Sequence, residues 1–190
     1  THLVEVHKNG GKYHVLLYTH DKRYIEYECD HFVNALGYSA ERFARMLGLY
    51  TGLYPVKHQA LITHRLPNLG ILDMLIDRRK RNDFSAVYGQ QFAETGQIIA
   101  CASPAVDAKA EISNFDELKF NTRRFMEIIS EVFCDWIPSL ATVPVQATWS
   151  GYYVEPRYII DPDNGLFVGL QGHGFMLAQY LAKLYVDKAL

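Results

Sequence analysis

The residues of this chain that are best placed to do chemistry form a glycine-rich segment near its C-terminus, Gly169–Met176. An apolar run, Leu166–Leu170, precedes a tight turn that holds Gly172 and Gly174, and a helix is predicted over Phe175–Leu190. Glycines at such a turn let a ligand approach bare backbone, and the helix start offers unpaired N–H groups at the positive end of the dipole. The pattern is typical of a site for an anion, or for a group that becomes one, and also of a plain strand–turn–helix corner.

The composition is that of a globular protein with one domain or two small ones. Of 190 residues, 49% are hydrophobic and 13% aromatic, which is enough to build a core. The net charge of −2 provides no field to recruit nucleic acid or anionic lipid, and the basic run Arg78–Arg81 reads as a solvated turn. No signal peptide occurs, and no apolar run approaches the roughly 20 residues that cross a bilayer.

The cysteines and histidines argue against metal binding. The three cysteines (Cys29, Cys101 and Cys134) are odd in number, far apart and without metal-type spacing, which favours a reduced, cytoplasmic setting. The eight histidines show no paired spacing of the kind that holds zinc. We therefore expect no metal.

The order of predicted elements is uneven. Helices are predicted over Ala40–Leu47, with Ser39 as N-cap, and over Glu117–Trp136, with Asn114 or Asp116 as cap. Strands are predicted at about 2–8, 12–19, 23–29, 56–63, 71–76, 84–90, 97–102, 145–153, 157–160 and 166–170. Because the chain opens directly into a strand and a hairpin at Asn9-Gly10-Gly11, we expect it to be the C-terminal part of a longer polypeptide.

Four segments, in this order, resemble the FAD-dependent amine and amino-acid oxidoreductases of the D-amino-acid oxidase superfamily. That superfamily includes glycine oxidase, sarcosine oxidase, and the sarcosine and dimethylglycine dehydrogenases. The segments are 32–37 (FVNALG), 55–63 (PVKHQALIT), 149–153 (WSGYY) and 169–176 (GLQGHGFM). The resemblance implies an α/β (α+β) fold: part of a Rossmann-type FAD-binding domain over 1–52 and 146–190, with an inserted, mostly antiparallel substrate domain and long helix over 53–145.

Two departures from the family pattern stand out. The family opens with a strand and a G-x-G-x-x-G turn that hold the FAD pyrophosphate on a helix N-terminus, and this sequence contains no such turn. The chain therefore resembles the second half of a family member, whose N-terminal FAD-binding half would be its missing partner. The family also usually has an acidic residue after the proline of the segment matched by Tyr153–Ile159, whereas Arg157 stands near that position here.

The resemblance assigns residues to FAD at two places. Gly172, His173 and Gly174 would supply backbone N–H groups to the pyrimidine side of the flavin, where reduction adds negative charge. His173 itself is expected to be a spacer with its side chain outward. Gly37 is either a close-approach glycine or a turn glycine. The cofactor residues implied are Asn34, Ala35, Gly37, Gly172, His173, Gly174, Phe175 and Met176.

A substrate site is implied as well. Arg157 is the best candidate to pair with a substrate carboxylate, because guanidinium grips a carboxylate with two hydrogen bonds. Tyr88, Tyr152 and Tyr153 could line the cavity, and His58 could approach the flavin. Each of these tyrosines, among 13 in the chain, could equally be a half-buried sheet residue, and His58 a core or surface histidine.

The function that these assignments imply is hydride transfer from a small amine or amino acid to FAD. The alternative is a non-catalytic subunit or binding module that keeps the substrate-domain sheet. A small α/β enzyme unrelated to flavins has less support, because the sequence contains neither a G-x-S-x-G elbow nor a P-loop.

Overall fold

The chain folds into two compact units in the computed structural model, which describes residues 1–71, 73–79, 81–104 and 122–189. Unit 1 consists of residues 1–55 and 153–190, and unit 2 of residues 56–152. The boundaries differ from the expected 52/53 and 145/146. The reason is that the strand predicted at 145–153 joins the sheet of unit 2 and does not belong with the C-terminal segment.

Unit 1 begins with a three-stranded antiparallel sheet: β1 (His2–Asn9), β2 (Lys12–Tyr18) and β3 (Tyr24–Cys29). The predicted hairpin is confirmed, and both glycines of its turn have positive φ. Helix α1 (Ala40–Met46) follows. Ser39 precedes it but forms no side-chain cap bond, because its backbone is already helical and the capping geometry requires an extended one.

The second segment of unit 1 returns to the first. Strands β9 (Ile159–Asp161) and β10 (Leu166–Val168) pair antiparallel and are followed by the long helix α3 (Gly174–Ala189). A parallel bridge joins Leu166 to Asn34. This bridge joins segments 132 positions apart and puts Asn34 beside the strand that leads to the glycine-rich segment.

Unit 2 is a five-stranded sheet with one helix packed on it. The strands, in the order β5-β6-β7-β4-β8, are β4 (Tyr54–Thr63), β5 (Leu75–Asp77), β6 (Phe84–Gln91), β7 (Ile98–Pro104) and β8 (Val145–Glu155), and the helix is α2 (Arg123–Trp136). β4 pairs antiparallel with β7, β5 with β6, and β6 with β7. The predicted α/β (α+β) class is confirmed.

One face of this sheet forms the core with α2. Buried residues alternate in sequence over the second half of β6 and over β7, as a one-sided sheet requires, and together with Leu61 of β4 they meet a helical stripe of α2 that includes Phe125 and Phe133. Thr122 caps α2 by accepting a hydrogen bond from Phe125 N at 3.1 Å. The predicted start of this helix at Glu117 and its candidate caps Asn114 and Asp116 lie outside the described residues.

The basic run after β5 is held by a buried carboxylate. Asp77 accepts hydrogen bonds at Oδ2 from Arg79 Nε at 2.8 Å and from Arg81 Nη2 at 2.9 Å. Hydrogen bonds from these two guanidinium groups hold the pKa of Asp77 well below its usual range, and the bond from Arg79 has the larger effect. Both arginines thus serve the fold of unit 2, which agrees with interpreting this run as a turn.

Candidate functional site

The glycine-rich segment links β10 to α3 through a tighter path than the sequence suggests. The predicted strand stops at Val168, and Gly169 turns the chain with φ +78°. A single 3₁₀ turn, Gln171–His173, then leads directly into α3, which begins at Gly174. We call Gly169–Gly174 the glycine turn.

Each glycine of this turn has a different reason to be glycine. A Cβ on Gly169 would lie 2.1 Å from the carbonyl oxygen of Arg157, so the backbones there are too close for any side chain. A Cβ on Gly172 would lie 2.7 Å from Cε2 of Tyr153, whose ring packs on this residue. A Cβ on Gly174 would meet nothing closer than Leu170 Cβ at 3.4 Å, which is ordinary contact. Of the three, Gly174 alone is not required by a neighbour in this chain.

The side chain of Gln171 connects the glycine turn to the end of β8 by hydrogen bonds. Its Nε2 donates to Glu155 Oε2 at 2.7 Å and also to the carbonyl oxygen of Pro156. Its backbone has φ +53°, which is rare for a residue other than glycine and is found where the surrounding structure holds it. The sequence carries no signal for this role, because glutamine has no preference for positive φ.

The helix start leaves backbone and apolar side chains open to solvent. Gly172 and His173 are exposed, as are Phe175 and Met176. The side chain of His173 is therefore exposed, as expected. The backbone N–H of His173 donates to the carbonyl oxygen of Leu170 at 3.0 Å and is thus already bonded within the turn. The first amides of α3 itself have no intrahelical acceptor, as at any helix start.

The second predicted cofactor segment contains one buried and two exposed residues. Asn34 is fully buried, and its Nδ2 donates to the carbonyl oxygen of Ala40 at 2.9 Å, so the side chain braces the start of α1. Ala35 and Gly37 are exposed. Gly37 has φ +57° with nothing within 4 Å of a Cβ, which makes it a turn glycine with open space beside it.

In unit 2, two predicted substrate residues lie on one face of the sheet, opposite α2. Tyr88 of β6 pairs with Cys101 of β7, which pairs with Ala60 of β4. Because side chains two residues apart in a strand share a face, His58 belongs to the face of Ala60, and Gln90 to that of Tyr88. These residues are half-buried, apart from the buried Ala60. We call the side marked by His58, Tyr88, Gln90 and Cys101 the polar face.

Burial shifts two titratable groups of the polar face toward their neutral forms. It lowers the pKa of His58 to about 4, so the imidazole is uncharged near neutral pH. It raises the pKa of the Cys101 thiol to about 11, against the smaller opposing effect of a hydrogen bond from Tyr88. Cys101 was not among the predicted site residues, because a single cysteine in a strand carries no motif.

The remaining predicted residues are separated by local geometry. Tyr152 and Tyr153 are neighbours in β8, so their side chains point to opposite faces of that strand, and the ring of Tyr153 lies on Gly172. Arg157 follows β8 in unit 1, where its carbonyl oxygen contacts the glycine turn while its side chain is exposed. Its guanidinium forms no ion pair with any described residue.

The low pKa of His58 predicts a pH-dependent stability for unit 2. The imidazole titrates at about 6.5 in the unfolded chain but only near 4 in the folded one. Acid therefore protonates the unfolded state first, and we expect stability to fall by about 1–3 kcal/mol between pH 6.5 and 4. Both tryptophans of this chain, Trp136 and Trp149, lie in unit 2, so urea unfolding followed by their fluorescence measures the loss. His58→Gln should flatten this part of the pH profile; an unchanged profile would contradict the assignment.

No group of three or more histidine, cysteine, aspartate or glutamate side chains in the described part of the chain could hold a metal ion. No described helix is long and apolar enough to cross a membrane. All three cysteines are free thiols.

Comparisons with known proteins found similar sequences and similar structures. A relative from Xenopus laevis, "FAD-dependent oxidoreductase domain-containing protein 1", is 27% identical over 186 residues, which is 84% of this chain and 35% of that protein. The L-proline dehydrogenase from P. horikoshii is similar in structure (TM-score 0.67, 23% identity, 98% of this chain and 48% of that one). So is the glycine oxidase from Geobacillus kaustophilus (TM-score 0.72, 18% identity, 98% of this chain and 47% of that one).

The chain thus spans about a third of the curated relative and about half of each solved structure. The model of the family described as DAO, FAD dependent oxidoreductase, matches residues 1–188, nearly the whole chain. This match confirms the resemblance carried by the four segments, and it identifies FAD as the cofactor of the family. The chain belongs to the DAO family of FAD-dependent oxidoreductases.

Proposed function

We propose that this chain is the flavin-facing and substrate-facing part of an oxidoreductase that oxidises a small amine or amino acid. The observation that carries the proposal is the glycine turn, where Gly174 is not required by any neighbour in this chain. A glycine that the fold itself does not need is one whose missing side chain makes room for something else. FAD, when bound, supplies the hydride acceptor.

The residues around the turn fit one edge of a flavin. Exposed backbone at Gly172 and the first amides of α3 could donate hydrogen bonds to a carbonyl that gains negative charge, aided by the helix dipole. Phe175 and Met176, both exposed, offer apolar surface beside them. On the neighbouring segment, Ala35 and Gly37 are exposed with room for a ligand, while Asn34 braces the backbone that carries them.

For the substrate, we assign a charged and a neutral group. Arg157 would pair with a carboxylate, since its guanidinium is exposed and has no ion-pair partner among the described residues. In unit 2, Tyr88 and His58 on the polar face are separate candidates for contact with a substrate. A neutral imidazole at His58 does not repel a protonated amine.

The cofactor assignment is tested by Gly174→Val in the full-length natural protein. The Cβ of a valine here would meet only ordinary contacts within this chain. We therefore expect the variant to fold but to lose most of its flavin, measured as absorbance near 450 nm per polypeptide. Ala182→Val, at an exposed position of the same helix, is the control for the general effect of a β-branched side chain on α3; it lowers helix propensity by about 0.5 kcal/mol. Flavin content equal to that of the control would contradict the assignment.

We also propose that a flavin-binding half docks on unit 1 by adding a strand. Asn34 uses its backbone N–H and C=O to pair with Gly165 and Phe167. Since successive residues of an extended chain point these groups to opposite sides, Val33 and Ala35 present theirs to the other edge, where no described residue pairs with them. A groove of about 360 Å³ runs beside this edge. Its lining is partly apolar, from residues such as Tyr13, Phe32 and Tyr185, and partly charged, from residues such as Lys8, Asp30 and Asp163.

Strand addition predicts protection of the open edge. The solved relatives are about twice as long as this chain, which leaves a segment of sufficient length to fill the groove. In hydrogen exchange, the amides of Val33 and Ala35 should exchange at least about tenfold more slowly in the full-length natural protein than in this chain alone. The amide of Tyr27, on the exposed side of β3, is the reference and should not change. Equal rates at Val33 in both proteins would refute the docking site.

A further inference from the structure

The carboxylate of Glu155 is a charged group at the glycine turn that the proposed function does not use. Its Oε2 accepts a hydrogen bond of 2.7 Å from Nε2 of Gln171, and the same nitrogen donates to the carbonyl oxygen of Pro156. A side-chain amide nitrogen carries two protons, so these two bonds use both of them. Gln171 therefore holds Glu155 against the glycine turn, within unit 1.

No cation among the described residues neutralises this carboxylate through an ion pair. The group that binds it, the amide of Gln171, is neutral, and the exposed side chain of Arg157, two positions along the chain, does not pair with it. Glu155 is half-buried, so water screens its charge less than that of a carboxylate on the open surface. The glycine turn therefore carries a negative charge that acts on its surroundings.

A purely structural role would require an oxygen at residue 155 but not a charge. The amide oxygen of a glutamine could accept the same hydrogen bond from Gln171, without the desolvation cost of a half-buried carboxylate. The arrangement is also costly at its other end, because Gln171 holds φ +53°. The charge of Glu155, and not its oxygen, is the feature that the fold does not explain.

We infer that Glu155 is a tuning residue for the flavin: its carboxylate, positioned at the glycine turn by Gln171, opposes the negative charge that FAD gains on reduction and so lowers the reduction potential. The inference rests on the proposed function and deepens it. The dipole at the start of α3 favours the same added charge, so the carboxylate and the dipole act in opposite directions at one turn. Without the carboxylate, the dipole would act unopposed and the flavin would be easier to reduce.

The first test needs no flavin and separates the charge from the hydrogen bond. Glu155→Gln keeps an oxygen that accepts from Gln171, whereas Glu155→Ala removes it. In thermal unfolding of this chain, followed by circular dichroism, Glu155→Gln should therefore lose clearly less stability than Glu155→Ala. Equal losses in the two variants would mean that the fold itself depends on the charge, and would overturn the inference.

The second test measures the reduction potential in the flavin-loaded full-length natural protein. The flavin is brought to equilibrium with a reference dye, and absorbance gives the ratio of reduced to oxidised flavin at a fixed dye potential. In Glu155→Gln this ratio should rise about threefold to tenfold, and tenfold is about 30 mV for a two-electron couple. Glu5→Gln, which removes an exposed carboxylate from β1 of the same unit, is the control and should not change the ratio. An unchanged or lower ratio in Glu155→Gln would overturn the inference.

The positioning role of Gln171 is tested by a double-variant cycle. Gln171→Ala releases the carboxylate from the turn, so it should raise the ratio of reduced to oxidised flavin, though by less than Glu155→Gln does. In the Glu155→Gln background, Gln171→Ala should cause no further rise, because no charge is left to position. An equal rise in both backgrounds would show that Gln171 acts on the flavin without Glu155, and would overturn the positioning role.

The outcomes separate this inference from the function on which it rests. A full-length protein that binds no flavin would overturn the proposed function and the tuning role with it. A flavin-loaded protein that oxidises an amino acid, but whose reduction potential does not respond to Glu155→Gln, would overturn the inference alone. Loss of flavin from Glu155→Gln would also overturn the inference alone, because a carboxylate that opposes reduction is not needed to bind the oxidised cofactor.

Discussion

Replacement of Gly169 by alanine is expected to destabilise unit 1 by about 3 kcal/mol or more. Two penalties combine at this residue. Its φ of +78° is costly for any residue with a Cβ, and the added Cβ would lie 2.1 Å from the carbonyl oxygen of Arg157. Because the obstructing atom is backbone, a rotamer change cannot relieve the clash. The strand β10 and the glycine turn would have to move apart from the Arg157 loop.

Gly48→Ala is a matched control for this prediction. Gly48 is in the same unit and has φ +77°, but nothing lies within 4 Å of its Cβ position. It should therefore show only the backbone penalty, about 1 kcal/mol. Thermal unfolding followed by circular dichroism measures both variants. Similar losses of stability in the two would mean that the contact between Gly169 and Arg157 is looser than described.

Replacement of Arg157 by alanine is expected to weaken binding of a carboxylated substrate by about 2–5 kcal/mol in the full-length protein. The guanidinium is exposed and forms no ion pair with a described residue, so its removal should leave the chain intact. A bound substrate would desolvate the ion pair, which makes the pair far stronger than one on the open surface. The effect should appear in KM for an amino acid and not for an amine without a carboxylate.

Two further variants sharpen the test of Arg157. Arg157→Lys keeps the charge but not the two-pronged geometry, so its KM should lie between those of wild type and Arg157→Ala. Arg123→Ala removes another exposed arginine, on α2, and should leave KM unchanged. If Arg157→Ala weakened amines with and without a carboxylate equally, the residue would be structural.

Local patterns in the sequence predicted most of the fold. The alternation of apolar residues in β6 and β7 and the helical stripe of α2 are visible in the chain because each depends on a period of two or 3.6 residues. The hairpin at Gly10 and Gly11 was predicted from turn chemistry alone. The domain boundary within β8 was not, because nothing in a strand indicates which sheet it joins.

The site was predicted in outline. The sequence singled out the glycine turn, the resemblance added Tyr88 and His58, and the register then placed these two on one face of the sheet. Gln171 was missed because its role comes from a contact with Glu155, which is 16 positions away. The roles assigned to the cofactor and substrate residues remain predictions.

By itself, the order of residues determined the local elements and, through its four family segments, membership of a flavin-dependent family. Tertiary structure alone decided what a side chain at each glycine of the turn would meet: backbone at Gly169, a ring at Gly172 and only ordinary contacts with Leu170 at Gly174. The physical reason is that the effect of adding a side chain at a glycine depends on the atoms that lie next to it. Those neighbours come from distant parts of the chain, which no local pattern records.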